Sequence, residues 1–441
     1  MIAKAIDFIK AILFPPNPRR CTNCGGWHTK MNGTRGTIDR DLGGAKPARH
    51  QNYWCHDCKR PYYVANPKRE KGRWYARQVY RKGLDMYFHI GGSWRKVAEW
   101  IRSEINVGSE RSVIWNPLNW ALRRKKIKRQ APRVRLSHTT LWRIAQLAGG
   151  RARAMRGKYG EAKNSGILGC DETGILIRGI SAGLQVLVDG ASRLVWRLRR
   201  LSSTTADQAS LQLALESLAD EVGLRLEDIK VWVSDGSGAY DGVIGMVLWW
   251  VVKKRCVFHL LRNAWSILEG YRAKVVRQGQ AELGLNREQA EALAELAVHA
   301  VMGTVRRIWM APNERDAFLG IAEWHRRWAG IADLARLGRL IEQTFHEATL
   351  HLKGTVPELG RTSNVCEWIF RWYKWRYEQL VQFMSPSGSD NFNALWEMHY
   401  NFQRYQVRRE RKRSYPYGGK CPLELSKVEI GMVSWLDALR I

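Results

Sequence analysis

The sequence predicts a mixed α/β core with an all-helical insertion, preceded by two smaller modules. Three observations carry this. Between residues 165 and 265, short apolar runs of strand type alternate with helical pattern. From 266 to 358 the pattern is helical throughout, with no strand-like run. Before residue 160, two Cys-x-x-Cys pairs give way to basic helical sequence.

Charge narrows the class of partner. The chain has 441 residues, with 72 Lys and Arg against 41 Asp and Glu, a net charge of +31. So large an excess strains a compact fold unless a polyanion neutralises it, which points to nucleic acid. A hydrophobic content of 45% is enough for a sizeable core. The first fourteen residues, MIAKAIDFIKAILF, are apolar on one helical face. Lys4, Asp7 and Lys10 interrupt them, so a docking helix over 1–18 is expected, neither a signal peptide nor a membrane span.

Cys21, Cys24, Cys55 and Cys58 form two Cys-x-x-Cys pairs. Each pair presents two thiolates to one ion, and four satisfy tetrahedral Zn²⁺. A structural zinc ribbon over 19–66 follows, its interval filled by a β-hairpin with turns at Gly33, Gly36, Gly43 and Gly44. His28, His50 or His56 could substitute for one ligand. The remaining cysteines are scattered, which is metal-site usage in a reducing compartment.

Residues 67–160 read as a helical helix-turn-helix region. A helix over Tyr75 to His89, the turn Gly91-Gly92 and a Ser93-capped helix form one candidate pair. Ser137 caps another helix that carries Thr139, Thr140 and Arg143 beside an apolar stripe, suited to a major groove. Between them Arg123, Arg124, Lys125, Lys126, Lys128 and Arg129 form a phosphate-tracking arm or a solvated linker. The basic run 408–413 invites the same two readings.

In the α/β part, Gly166 to Thr173 reads as a strand ending at Asp171, and Gly183 to Asp189 and Leu194 to Leu198 as two more. A helix over Thr204 to Val222 follows. Val231-Trp232-Val233 then delivers Asp235 into a Gly/Ser loop. An apolar helix, Val243 to Val252, and a strand, Arg255 to Phe258, complete the series. The order βββ-α-β-α-β is that of the RNase H core. In that arrangement the first and fourth strands are neighbours, which brings Asp171 beside Asp235. Asp189 also ends a strand and is the other candidate for the first acid; Glu172 is a decoy or an assistant. The core is expected over 161–265 and 359–441, with the insertion over 266–358.

A late helix carries Glu367, Arg371 and Lys374 at i, i+4 and i+7 on one face. Asn364 and Glu367 also have the spacing of a capping box. Trp372 and Trp375 make this helix aromatic, a surface for stacking at a DNA end. Three carboxylates brought together can hold two Mg²⁺ ions (or Mn²⁺), which prefer hard oxygen ligands. Two such ions about 3.5–4 Å apart clamp both oxygens of an in-line phosphoryl displacement.

The segments SDGSGAY around Asp235, RCVFHLLRN around Cys256 and His259, RTSNVCEWIFRWYK around Glu367, and CPLELSKVEI near the end resemble DDE transposases of the Mutator-like and bacterial insertion-sequence type. The resemblance implies an RNase H-like catalytic core with an all-α insertion, preceded by a zinc ribbon and a helix-turn-helix region. It implies Asp171, Asp235 and Glu367 as the triad, and Cys256 and His259 as a Cys-x-x-His signature packed near it. It further implies Mg²⁺-dependent cleavage of double-stranded DNA at element ends and strand transfer into target DNA. A homodimer is expected, because two ends must be joined, and a cytoplasmic, nucleoid-associated prokaryotic setting. Two other readings stand beside it: a non-catalytic DNA-binding relative, and an RNase H-type nuclease that cuts without joining.

Overall fold

The structure is a computed structural model, described here over residues 20–21, 23–42, 44–63, 75–103, 136–156, 161–354, 364–405 and 417–441. The expected N-terminal helix, the basic arm with Arg123, Arg124, Lys125, Lys126, Lys128 and Arg129, and the basic run 408–413 lie outside the described residues. The chain divides into two compact units, 1–145 with residue 441, and 146–440.

The first unit opens with an antiparallel sheet of β1 (Thr29–Asp41), β2 (Gly44–Cys55) and β3 (Arg60–Tyr63). Gly33 and Gly36 do not mark turns. Gly36 pairs with Arg49 inside the ladder, and the register shifts between Met31 and Thr34, across Gly33. A glycine within a strand accommodates such an irregularity as readily as a turn. Helix α1 (Arg77–His89) and helix α2 (94–103) follow, with Gly91 and Gly92 between them at positive φ. The Ser93 hydroxyl accepts from the Lys96 N–H at 3.3 Å, the predicted cap. Tyr87 stacks on Trp94 at 3.8 Å, and Trp142 of α3 (His138–Met155) meets Trp94 edge-on. Leu141 fills the space that a side chain at Gly83 would occupy.

The second unit is built on a five-stranded sheet of β4 (Ile167–Ile177), β5 (Ile180–Asp189), β6 (Val195–Arg200), β7 (Val231–Ser234) and β8 (Val252–Arg255). Its spatial order is β6-β5-β4-β7-β8. β5 runs antiparallel to both of its neighbours, β4 and β6; β7 and β8 run parallel to β4. Helix α4 (Gln208–Val222) connects β6 to β7, capped by Asp207 and stopped by Gly223 at φ 72°. Helix α5 (Gly238–Val247) connects β7 to β8.

Two expectations need correction. The helix after Asp235 lies earlier than Val243 to Val252, and the last strand is Val252–Arg255, not Arg255 to Phe258. The apolar run Cys256-Val-Phe suggested a strand, yet Cys256 is the N-cap of a helix. The basic run Lys253-Lys254-Arg255 makes the strand because Lys254, 2% exposed, donates to the Ala348 carbonyl at 2.9 Å. A buried ammonium with a partner can replace an apolar residue in a core strand.

Helix α6 (Val257–Leu283) runs from that cap into the predicted helical segment, joined by α7 (Arg287–Trp309), α8 (Glu314–Arg327) and α9 (Ala335–Thr349). These helices share one apolar core in which Trp309 and Trp324 are buried. The chain returns to the sheet with α10 (Asn364–Tyr377) and α11 (Pro386–Phe402), and ends in the short helices α12 (Pro422–Leu425) and α13 (Trp435–Ala438). Side chains of α11 close the β6 edge. The Asn401 amide pairs with both backbone groups of Val195, at 3.0 and 2.9 Å, and Glu397 accepts from the Leu198 N–H at 3.0 Å. An edge strand satisfied in this way offers no ladder to another chain. Among the described residues no helix is long and apolar enough to cross a membrane.

Candidate functional site

Four thiols converge in the first unit. The Sγ atoms of Cys21, Cys24, Cys55 and Cys58 all lie within 4.8 Å of one another. Cys21 and Cys58 are 3.7 Å apart, and Cys24 and Cys55 3.6 Å. A Zn–S bond of about 2.3 Å in a tetrahedron requires sulfurs about 3.8 Å apart, so the cluster fits Zn²⁺. The N–H groups of Asn23 and Gly26 point at the sulfurs of Cys21 and Cys24. Burial pushes the Cys21 thiol up, but the Asn23 and Cys24 N–H groups and the neighbouring thiols prevail and bring it to about 7. Burial and the thiols of Cys24, Cys55 and Cys21 push Cys58 up to about 12. His28 pairs instead with Asp57 at 2.9 Å.

In the second unit, β4 and β7 place two carboxylates side by side. Their parallel pairing ends at Gly169 opposite Val233, and Asp171 and Asp235 stand two residues beyond. Asp171, expected at a strand end, lies inside β4, which continues to Ile177 against β5. It stands where the β7 partner stops, which opens the sheet beside it. Burial raises the Asp171 carboxyl to about 6; the charge of His259 opposes this, and the Asp235 and Glu172 carboxylates add to it. Its Oδ1 accepts from the Glu172 N–H at 2.8 Å, and Asp235 Oδ1 accepts from the Ser237 N–H at 2.9 Å.

Cys256 and His259 sit on the first turn of α6. A hydrogen bond to Cys256 raises the His259 pKa, burial opposes it, and the Asp171 charge adds to the rise. The His259 Nδ1 is buried with no hydrogen-bond partner. Glu367 lies in the first turn of α10, half-buried. Its neighbour Cys366 is buried against β4, with Sγ 3.2 Å from where a Gly169 side chain would begin. Glu367, Arg371 and Lys374 line one open hollow of about 670 Å³ with Trp372 and Trp375. Asp171, Asp235 and Glu367 do not close to the 4.8 Å span of the cysteines. Their donor set of hard oxygens nonetheless suits Mg²⁺.

The two uncertain acids take structural roles. Asp189 is fully buried and accepts from the N–H groups of Ser165, Ala191 and Ser192 and from the Ser192 hydroxyl. It pairs with Leu168, at the start of β4 and away from Asp235. Glu172 accepts from the Ala206 N–H at 2.9 Å and the Tyr240 hydroxyl at 2.6 Å. On α3, Thr139 and Arg143 are exposed, while the Thr140 hydroxyl is engaged by Ser137.

Sequence reasoning missed Arg255. Its Nη1 donates to the Asp235 carbonyl at 2.8 Å and its Nε to Glu347 of α9 at 3.1 Å. The signal was Gly236, at φ 85°, where a side chain would begin 1.3 Å from Arg255 Nη1. Compared with known proteins, the chain matches no family model and no curated protein.

Proposed function

We propose that this chain is a DNA transposase of DDE type, with an RNase H-like core. It cuts DNA at element ends and transfers the strand into target DNA. The single observation that carries the reading is the parallel neighbouring of β4 and β7, which stands Asp171 beside Asp235 at the point where the shorter strand ends. Strand order β6-β5-β4-β7-β8, with Glu367 on a helix packed against β4, supports the same reading. Asp171, Asp235 and Glu367 would hold the Mg²⁺ ions, which supply activation of the attacking hydroxyl and stabilisation of the leaving oxygen. Arg371 and Lys374 offer cations to the phosphates. His259, whose pKa is raised by Cys256 and by the Asp171 charge, stands close to the carboxylates. The four cysteines would hold Zn²⁺ and brace the N-terminal sheet, and the net charge of +31 supports DNA as the partner. Homodimerisation is part of the proposal because two ends must be joined.

The test is a cleavage and joining assay on double-stranded DNA carrying the element's ends, with and without Mg²⁺, beside Asp235→Asn. Metal-dependent nicking at the ends, lost in the variant, is expected. Cleavage unchanged in Asp235→Asn would sink the assignment. Tight end binding without cleavage in any metal would favour a DNA-binding relative, and cutting without joining a nuclease.

A further inference from the structure

The hollow along α10 holds more than charge. Glu367, Arg371, Trp372, Lys374, Trp375 and Glu378 line it. Trp375 is 47% exposed. One face of its ring is covered: the Arg376 guanidinium lies 3.7 Å from the ring centroid, and Arg376 is itself 2% exposed. Trp372 meets Trp375 nearly at a right angle, with centroids 6.5 Å apart. A buried cation behind and a second indole beside leave the opposite face of Trp375 open and the ring fixed. A ring held in this way loses little freedom when something stacks on it.

From this geometry we infer that the α10 hollow is a binding site for one unpaired DNA nucleotide, its base stacked on Trp375 and its phosphates met by Arg371 and Lys374. A base inside a duplex has both faces covered by its neighbours, whereas an unpaired base is free to lay one on the indole. Arg371 and Lys374 are exposed on the same stretch of helix, which supplies the cations a sugar-phosphate chain requires. Trp375 lies eight positions after Glu367, about 12 Å along the helix axis. The stacked nucleotide therefore lies within a few nucleotides of a phosphate at Glu367. The inference rests on the proposed function for the identity of that strand, not for the stacking site itself.

The experiment uses full-length protein carrying Asp235→Asn, without added divalent metal, so that no cleavage is needed. The probe is a duplex with a three-nucleotide single-stranded overhang bearing 2-aminopurine, beside a blunt duplex with 2-aminopurine paired. Stacking on Trp375 quenches the overhang probe and leaves the blunt one unchanged. Trp375→Ala is expected to abolish the quench and weaken overhang binding about tenfold, and Trp375→Phe to retain most of both. Trp249→Ala, which removes another exposed indole (76% exposed) outside the hollow, leaves the quench intact. Quenching unchanged in Trp375→Ala, equal quenching of the blunt probe, or equal loss in Trp249→Ala would each overturn the site. If the cleavage assay fails while the Trp375-dependent quench holds, the transposase reading falls and the nucleotide site stands.

Discussion

Arg255 donates to the backbone carbonyl of Asp235 at 2.8 Å, through the space that a side chain at Gly236 would fill. The same guanidinium reaches Glu347 on α9, so the helical insertion is tied to the loop that aims Asp235. Gly236→Ala should displace Arg255 and strain a backbone at φ 85°. Under the proposed function, the expected outcome is a loss of metal-dependent cleavage of tenfold or more, on the order of 1.4 kcal/mol or above, with DNA binding retained. Parallel cleavage and gel-shift titrations would show it; cleavage at the wild-type rate would remove Arg255 from any positioning role.

Asp171 is held at about 6, mainly by burial. Its unfolded value is near 4. A raised folded value stabilises fully below the unfolded one, and that contribution is lost as pH rises through about 6. At neutral pH the ionised carboxylate therefore costs stability, on the order of 2–3 kcal/mol. Asp171→Asn should raise the melting temperature by a few degrees above pH 6, with the gap closing toward pH 4, while cleavage disappears. A variant that melts below wild type at pH 7.5 would mean that the carboxylate serves the fold.

Lys254 shows the opposite displacement. Burial lowers its ammonium to about 8. Stability is then highest above the unfolded value near 10.4 and is lost as pH falls through about 8. Lys254→Met keeps the bulk and removes the charge. It should stabilise the second unit at pH 7.5 by up to about 3 kcal/mol and flatten the rise in stability of the wild type between pH 8 and 10. Denaturant midpoints across that range would measure it, and parallel curves for the two proteins would refute the buried-charge account.

Glu172 and Asp171 are adjacent but differ in what they hold. Glu172→Ala leaves the Tyr240 hydroxyl and the Ala206 N–H without their acceptor. Lost buried hydrogen bonds of this kind cost about 1–3 kcal/mol each. The variant should melt early, and cleavage per folded molecule at low temperature should persist. Cleavage abolished in well-folded Glu172→Ala would make it a participant in the chemistry.

The cysteine cluster predicts one bound zinc per chain. Cys58→Ser should lose it, as read by metal analysis of the purified protein, and should expose residues 20–63 to proteolysis. Retention of full metal content in Cys58→Ser would overturn the four-thiolate site.

Some of this was legible in the sequence because it is local. The Cys-x-x-Cys spacing dictates its own ligand geometry, and the four sulfurs meet as that spacing predicts. The order of strands and helices followed from periodicity, as did the helical segment with Trp309 and Trp324 in its core. Ser93 and Ser137 cap helices as short-range hydrogen bonding dictates.

Other features depended on residues distant in the chain. The strand at Val252–Arg255 is decided by Ala348, which accepts from Lys254 and so permits a basic run in a core sheet. Asp189 and Asp171 look alike in sequence, each near an apolar run. Only pairing separates them: the Ser165 and Ser192 groups saturate one, while the end of β7 leaves the other beside Asp235. The backing of Trp375 by Arg376 depends on what burial of α10 allows each to reach. Local sequence determines which groups a segment carries. Long-range packing determines which of them are satisfied, and so which are left to act.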